Sequence, residues 1–266
     1  MSSNLSGPCA AEGKPQLQPA PHGGWMSGRF SPASAPGGFL QEAHAEFGRF
    51  VTQPEFPCVG ARAAFHSESY ALSVYDELAS DRSTAELARD LFAFTRSEIR
   101  AASEYATFVA VFRQPQQLDE LLFEHRLWQQ LGKLNALDAA HFEWDPSVRS
   151  DPTDPQFSFS FAGQALYVIG LQPQSSRLAR QFRWPTLIFN PHEQFERLRA
   201  DGKWKRMQQT IRDRDVQLQG SINPMLSDFG QTTEARQYSG RAVEEDWRAP
   251  FEAAQPAKVG KCPFHH

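Results

Sequence analysis

The sequence predicts an α+β fold: a single domain with one mixed or antiparallel sheet flanked by helices, behind a disordered N-terminal lead. Three observations predict it. Apolar residues recur at helical spacing in several separated stretches, and at period two in others. Phe157-Ser158-Phe159-Ser160-Phe161, a turn at Ala162-Gly163-Gln164 and the apolar return Ala165–Ile169 read as a β-hairpin, which puts adjacent antiparallel strands in the sheet. Residues 1–38 carry prolines 15, 19, 21, 32 and 36 and two Gly-Gly pairs without apolar periodicity, and so bury too little to offset chain entropy.

The elements follow in order. FLQEAHAEFGRFVT, residues 39–52, sets Phe39, Leu40, Phe47 and Phe50 near helical spacing. In FPCVGAR, residues 56–62, Pro57 disfavours helix at Phe56 and Gly60 permits a turn. A helix opens at Ser83, an N-cap with Glu86 three residues on, and carries Leu87, Leu91, Phe92 and Phe94 toward Ala102. Tyr105–Phe112 is a strand stopped by Gln114-Pro115, and Leu118–Leu137 a helix with Leu121, Leu122, Leu127, Trp128, Leu131 and Leu134 on its apolar side. A proline-bearing loop, Asp145–Asp154, precedes the hairpin, whose first strand alternates as a half-buried strand does. Thr186–Phe189 is a further strand, ended by Asn190-Pro191, and helical patterns follow at 192–200 and 203–218. With no repeat and no linker inside 40–248, residues 39–266 form one domain with a C-terminal tail.

Composition narrows the function. A net charge of −4 argues against a general nucleic-acid binder. No apolar run approaches the roughly 18 residues of a membrane span, and no secretory leader is visible, so no membrane partner is expected. Three cysteines, an odd number without framework spacing, fit a reduced cytoplasmic protein. The 21 phenylalanines fit a Phe-rich core or an apolar pocket. Dinucleotide, P-loop, zincin and nucleophile-elbow motifs are absent, and the histidines show no ligand spacing beyond the terminal pair.

Two stretches carry chemistry. In the first, Cys58 sits before a Val59-Gly60 turn able to aim backbone N–H groups at the sulfur, with Arg62 adding positive charge. A buried structural thiol fits that pattern, and so does the proximal thiolate of a haem enzyme. In the second, SSRLARQFRWP, arginines 177, 180 and 183 lie beside the hairpin, and a guanidinium fork suits a propionate or a substrate carboxylate. Asp151 and Asp154 read as a rigid turn before the strand or as a carboxylate pair.

FPCVGARAAF (56–65), FVAVFRQP (108–115), FEHRLWQQLGKLNALD (123–138), DPTDPQFSFSFAGQALYVIGLQP (151–173), SSRLARQFRWPTLIFNPHEQFERLR (175–199), IRDRD (211–215) and the terminal KCPF (261–264) together resemble the YqcI/YcgG family. The resemblance implies a haem b protein that oxygenates nitrogen, hydroxylating a guanidine or amine of an arginine-like small molecule in natural-product metabolism. A haem sensor or carrier without turnover is the alternative. On this resemblance Cys58 is the axial thiolate, with Cys262 as its rival and His44, His66, His125 or His141 as a second. Arg62, Arg177 and Arg180 would serve the cofactor, the last two at its propionates. Phe159 and Phe161 would wall the pocket, with Phe157 on the same strand face. Asp151 and Asp154 would hold a cationic substrate. With O₂ as oxidant, an external reductase would supply electrons.

Overall fold

The structure is a computed structural model that describes residues 25–27 and 38–254. Six strands form one mixed sheet: β1 (Trp25–Ser27), β2 (Tyr70–Glu77), β3 (Thr107–Gln114), β4 (Phe159–Phe161), β5 (Gln164–Leu171) and β6 (Thr186–Pro191), in the order β1-β2-β3-β6-β5-β4. The β2–β3 pair is parallel and every other pair antiparallel. The expected disordered lead falls on residues outside the described set, except for Trp25–Ser27, which pairs with β2, and Gly38, the N-cap of the first helix.

Period-two alternation sorts the side chains onto two buried faces. On β3, Phe108, Ala110 and Phe112 enter one cluster and Val109 and Val111 the other. The first face is covered by α3 (Asp81–Thr95) and α5 (Glu120–Asp138), whose Leu87, Leu91, Leu127, Trp128 and Leu131 are fully buried. The buried Asp90 carboxylate on this side is paired: it accepts from Ser73 and Tyr75, each at 2.8 Å. Leu40, Ala43, Phe47 and Val51 of α1 (Phe39–Thr52) cover part of the second face. The rest is roofed by α2 (Val59–His66), α6 (His192–Ala200) and α7 (Trp204–Gln219). Two short helices, α4 (Glu98–Ala102) and α8 (Ala235–Tyr238), complete the α-helices among the described residues.

Four local expectations change. β2 was not foreseen, although it lies inside the sheet between β1 and β3. The N-cap of α3 is Ser80, whose hydroxyl accepts the Ser83 N–H at 3.2 Å; the Ser83 hydroxyl instead accepts the Glu77 N–H at 3.2 Å, so it cannot cap. The helix stops at Thr95 and restarts after Ser97, which caps α4. The FSFSF segment is buried along its whole length rather than half-buried, because the sheet is covered on both faces.

Candidate functional site

The second face of the sheet does not pack solidly to its end. Beyond Phe47 and Val51 of α1, a cavity of about 250 Å³ separates the strands from the α2–α7 roof. Its floor is Tyr70 of β2, Thr107 of β3, Tyr167, Ile169 and Leu171 of β5, and Ile188 and Asn190 of β6. These positions alternate along their strands, so they share the face that carries α1. Aromatic rings from Phe47, Phe50, Phe56, Phe65 and Tyr105 close one end. The volume lies just below the roughly 300–1,000 Å³ of small-molecule pockets.

Cys58 lies in this wall. It is not in a free turn but N-caps α2: its Sγ accepts the Ala61 N–H at 3.4 Å. Pro57 keeps the chain extended up to the cap, and the first turn of α2 then offers its unpaired N–H groups to the sulfur. The expected role of Gly60 as a turn residue therefore falls away. A Cβ at Gly60 would meet Tyr105 and the Cys58 sulfur only at 3.8 and 4.0 Å, ordinary contact distances. Burial pushes the thiol above its usual value, against the lowering effect of the Ala61 and Gly60 N–H groups and the Arg180 charge.

Arg180 lies in the same wall. It sits in a 3-10 turn, Leu178–Arg180, between β5 and β6. Its guanidinium donates to the carbonyls of Gly170 at 2.9 Å and Gln237 at 3.2 Å, and among the described residues it forms no ion pair. Burial lowers its pKa, opposed by the nearby Tyr167 and Cys58. Arg177 also reaches the cavity, but Asp215 of α7 holds it at 2.6 Å, and it donates as well to the Ser221 hydroxyl and carbonyl. That guanidinium is already neutralised and is a strut between the β5–β6 connection and α7.

The other expected site residues lie elsewhere. Arg62 turns back to donate to the carbonyls of Gln53 and Pro54, both at 3.0 Å, at the end of α1. Phe159 and Phe161 are fully buried on the opposite face of the sheet, with Phe157, among Trp144, Phe251 and Tyr238. Their alternation did place them on one face; the pairing of β4 with β5 and the cover of α5 decide that it is the wrong one for this cavity. Asp151 and Asp154 are surface turn formers, accepting the N–H groups of Thr153 at 2.8 Å and Gln156 at 2.7 Å. His44, His66, His125 and His141 do not line the cavity; His44 is bonded to the Tyr70 hydroxyl at 2.6 Å. Cys262 lies outside the described residues, and among those residues no group of three or more His, Cys, Asp or Glu is arranged to hold a metal ion.

Several cavity residues went unforeseen, among them a buried carboxyl, Glu234. Glu234 lies in the irregular stretch before α8, where no periodicity marks it, yet its carboxyl is buried and lines the cavity. Burial pushes it up to about 8, against the pull of Ser158, Arg199 and Tyr238.

Residues 47–252, which span strands β2 to β6 and the cavity, match the model of the YqcI/YcgG family. The chain belongs to the YqcI/YcgG family. Within reach of this membership are two Bacillus subtilis (strain 168) proteins, both described as uncharacterized. YcgG is 27% identical over 218 residues, covering 79% of this chain and 81% of the relative. YqcI is 26% identical over 217 residues, covering 79% and 80%. No solved structure matches the chain significantly. The family match begins inside α1 and leaves out residues 1–46, and among the described residues no helix is long and apolar enough to cross a membrane.

Proposed function

We propose that this YqcI/YcgG protein is a haem-dependent N-oxygenase that hydroxylates a guanidine or amine nitrogen of a small molecule. The observation that carries the reading is the placing of Cys58 and Arg180 in one apolar wall: a sulfur at a helix start and a half-buried guanidinium that, among the described residues, has no carboxylate partner.

The residues fit a haem in their chemistry. Cys58 offers a soft donor whose negative form is stabilised by the N–H groups of α2. Arg180, anchored by two carbonyls, presents a fixed positive charge suited to a carboxylate such as a propionate. The rings of Phe47, Phe50, Phe56 and Phe65 supply flat apolar surface. A flat macrocycle needs α7 to stand further from the sheet. α7 is also the loosest wall, since Asp215 is the one buried residue of its sixteen.

When bound, a thiolate-ligated haem supplies oxygen activation, the thiolate pushing electron density toward O–O cleavage. The chain supplies the rest. The α2 N–H groups would favour a charged, ligating sulfur against the cost of its burial, the aromatic end excludes water, and Arg180 orients an anionic group against the β5–β6 floor. An external reductase is the electron source in an O₂-driven reaction.

The test is the visible spectrum of protein expressed with a haem supply. A Soret band, with a thiolate-type ferrous carbonyl spectrum that Cys58→Ser abolishes and Cys262→Ser leaves, is the expected result. No Soret band overturns the reading, and loss of the thiolate spectrum in Cys262→Ser moves the ligand to the tail. Turnover of amine and guanidine panels with O₂ and reductase, or with peroxide, separates an enzyme from a haem sensor or carrier.

A further inference from the structure

We propose that Glu234 is the proton donor of the cavity and that His192 relays protons to it from Glu196 at the surface. The three side chains stand in a row from solvent to cavity. Glu196 is half-exposed on α6, and its Oε1 lies 3.3 Å from His192 Nε2. His192 opens α6 directly after β6; its ring is buried, with Nδ1 3.6 Å from Glu234 Oε1. That Nδ1 has no hydrogen-bond partner, so the imidazole spends a buried polar atom on facing Glu234. Glu234 in turn lines the cavity. The Phe229 ring packs edge-on against the imidazole at 4.5 Å and covers the path.

The chemistry of the row suits transfer rather than storage. Imidazole takes a proton on one nitrogen and releases one from the other. Glu234 gives its proton to a basic atom of the molecule in the cavity and becomes a carboxylate. Glu196, ion-paired with Arg199 at the surface, picks up a proton from solvent and passes it to His192 Nε2, and the imidazolium then gives its Nδ1 proton to Glu234. The net change is one proton moved from solvent to the cavity, with no electron moved. The 3.6 Å gap closes by a small shift, as hydrogen bonds in unliganded sites commonly do.

The surroundings keep Glu234 and His192 in the required states. Burial holds the Glu234 carboxyl up to about 8, so it carries its proton at neutral pH; Ser158, Tyr238 and Arg199 face it, and Glu196 opposes ionisation. Burial lowers His192, with Glu196 and Asp145 pulling up and Arg199 down, so it is a neutral relay. Oxygenation by O₂ consumes protons, and the purpose of the relay rests on the function proposed above; its existence does not.

Infrared spectroscopy of the full-length protein without haem tests it. The expected result, in an Asp138→Asn background that removes the other raised buried carboxyl, is a protonated-carboxyl band that disappears as pH rises through about 8 and is lost in Glu234→Gln. Its hydrogen–deuterium exchange should slow about tenfold in His192→Phe and in the surface variant Glu196→Gln. Circular dichroism checks that each variant folds, and Glu196→Gln carries the test if a buried variant does not. In that Asp138→Asn background, a band that survives Glu234→Gln, or wild-type exchange in Glu196→Gln, overturns the relay. A missing Soret band would overturn the N-oxygenase reading and leave the infrared result to judge the relay alone. A haem-loaded, active protein that fails the infrared test would sink the relay alone.

Discussion

Asp215→Asn removes one charge from the pair that ties α7 to the β5–β6 connection. In the native chain Asp215 Oδ2 accepts from Arg177 Nη2 at 2.6 Å and from the Asn223 N–H at 2.8 Å, and the two charged side chains are 10% and 7% exposed. Removing one partner of a buried pair typically costs about 3–5 kcal/mol, because the other charge stays buried. Here Arg177 keeps its bonds to the Ser221 hydroxyl at 3.1 Å and carbonyl at 2.8 Å, and the Asn side chain still offers an oxygen. Those bonds place the cost at the low end, about 3 kcal/mol. In a domain of this size about 2–4 °C of melting temperature accompanies each kcal/mol, so the midpoint should fall by about 6–12 °C. Urea denaturation gives the free energy, and Arg177→Met with Asp215→Leu completes the comparison: the double variant should recover most of the loss, since an apolar pair of similar volume escapes the desolvation penalty. A single variant within about 0.5 kcal/mol of wild type would refute the reasoning. Arg177 would then not depend on Asp215, and its guanidinium would be available to a ligand after all.

Two further outcomes follow from the other face. Gly170→Ala should destabilise by about 1–3 kcal/mol in urea, because the new Cβ would meet Phe123 Cε1 at 2.7 Å and Leu127 Cδ1 at 2.9 Å; an unchanged midpoint would mean that α5 yields freely. Asp138 is buried beside the hairpin, accepts the Ala162 N–H at 2.8 Å, and is pushed by burial from 3.8 up to about 7. A carboxyl raised in the folded state contributes stability that is complete below the unfolded value and lost as pH rises through the folded one. Asp138→Asn should therefore gain on wild type between pH 3.8 and about 7 and hold a constant lead above that, measured by urea midpoints across pH; a gap that does not change with pH would contradict it.

The elements that were legible are those whose signal is local. α1 has the predicted bounds, residues 39–52, because its apolar stripe reports the helical period directly. The hairpin was legible from its alternation and its Ala162-Gly163 turn, where both residues take the positive φ, 53° and 72°, that a tight antiparallel turn requires. The start of α3 was misplaced by three residues because two serines compete for the cap, and only the folded chain shows that Glu77 occupies Ser83. β2 was missed although Tyr70–Tyr75 is buried throughout, since a strand covered on both faces carries only a short apolar run and little alternation.

The sequence by itself determined the fold class, the element types and the two chemical groups of interest, Cys58 and the arginines after Ser176. These depend on spacing along the chain, which the chain contains. Only the tertiary structure decided which of them meet. Arg177 and Arg180 are three residues apart, yet Asp215, far along the chain, claims the first and leaves the second facing Cys58. Phe159 and Phe161 share a face by local rule, but strand pairing and the cover of α5 turn that face away from the cavity. Glu234 gained its character from burial alone. A side chain's partners and its solvent exposure are set by contacts between distant segments, and no local pattern in the sequence encodes them.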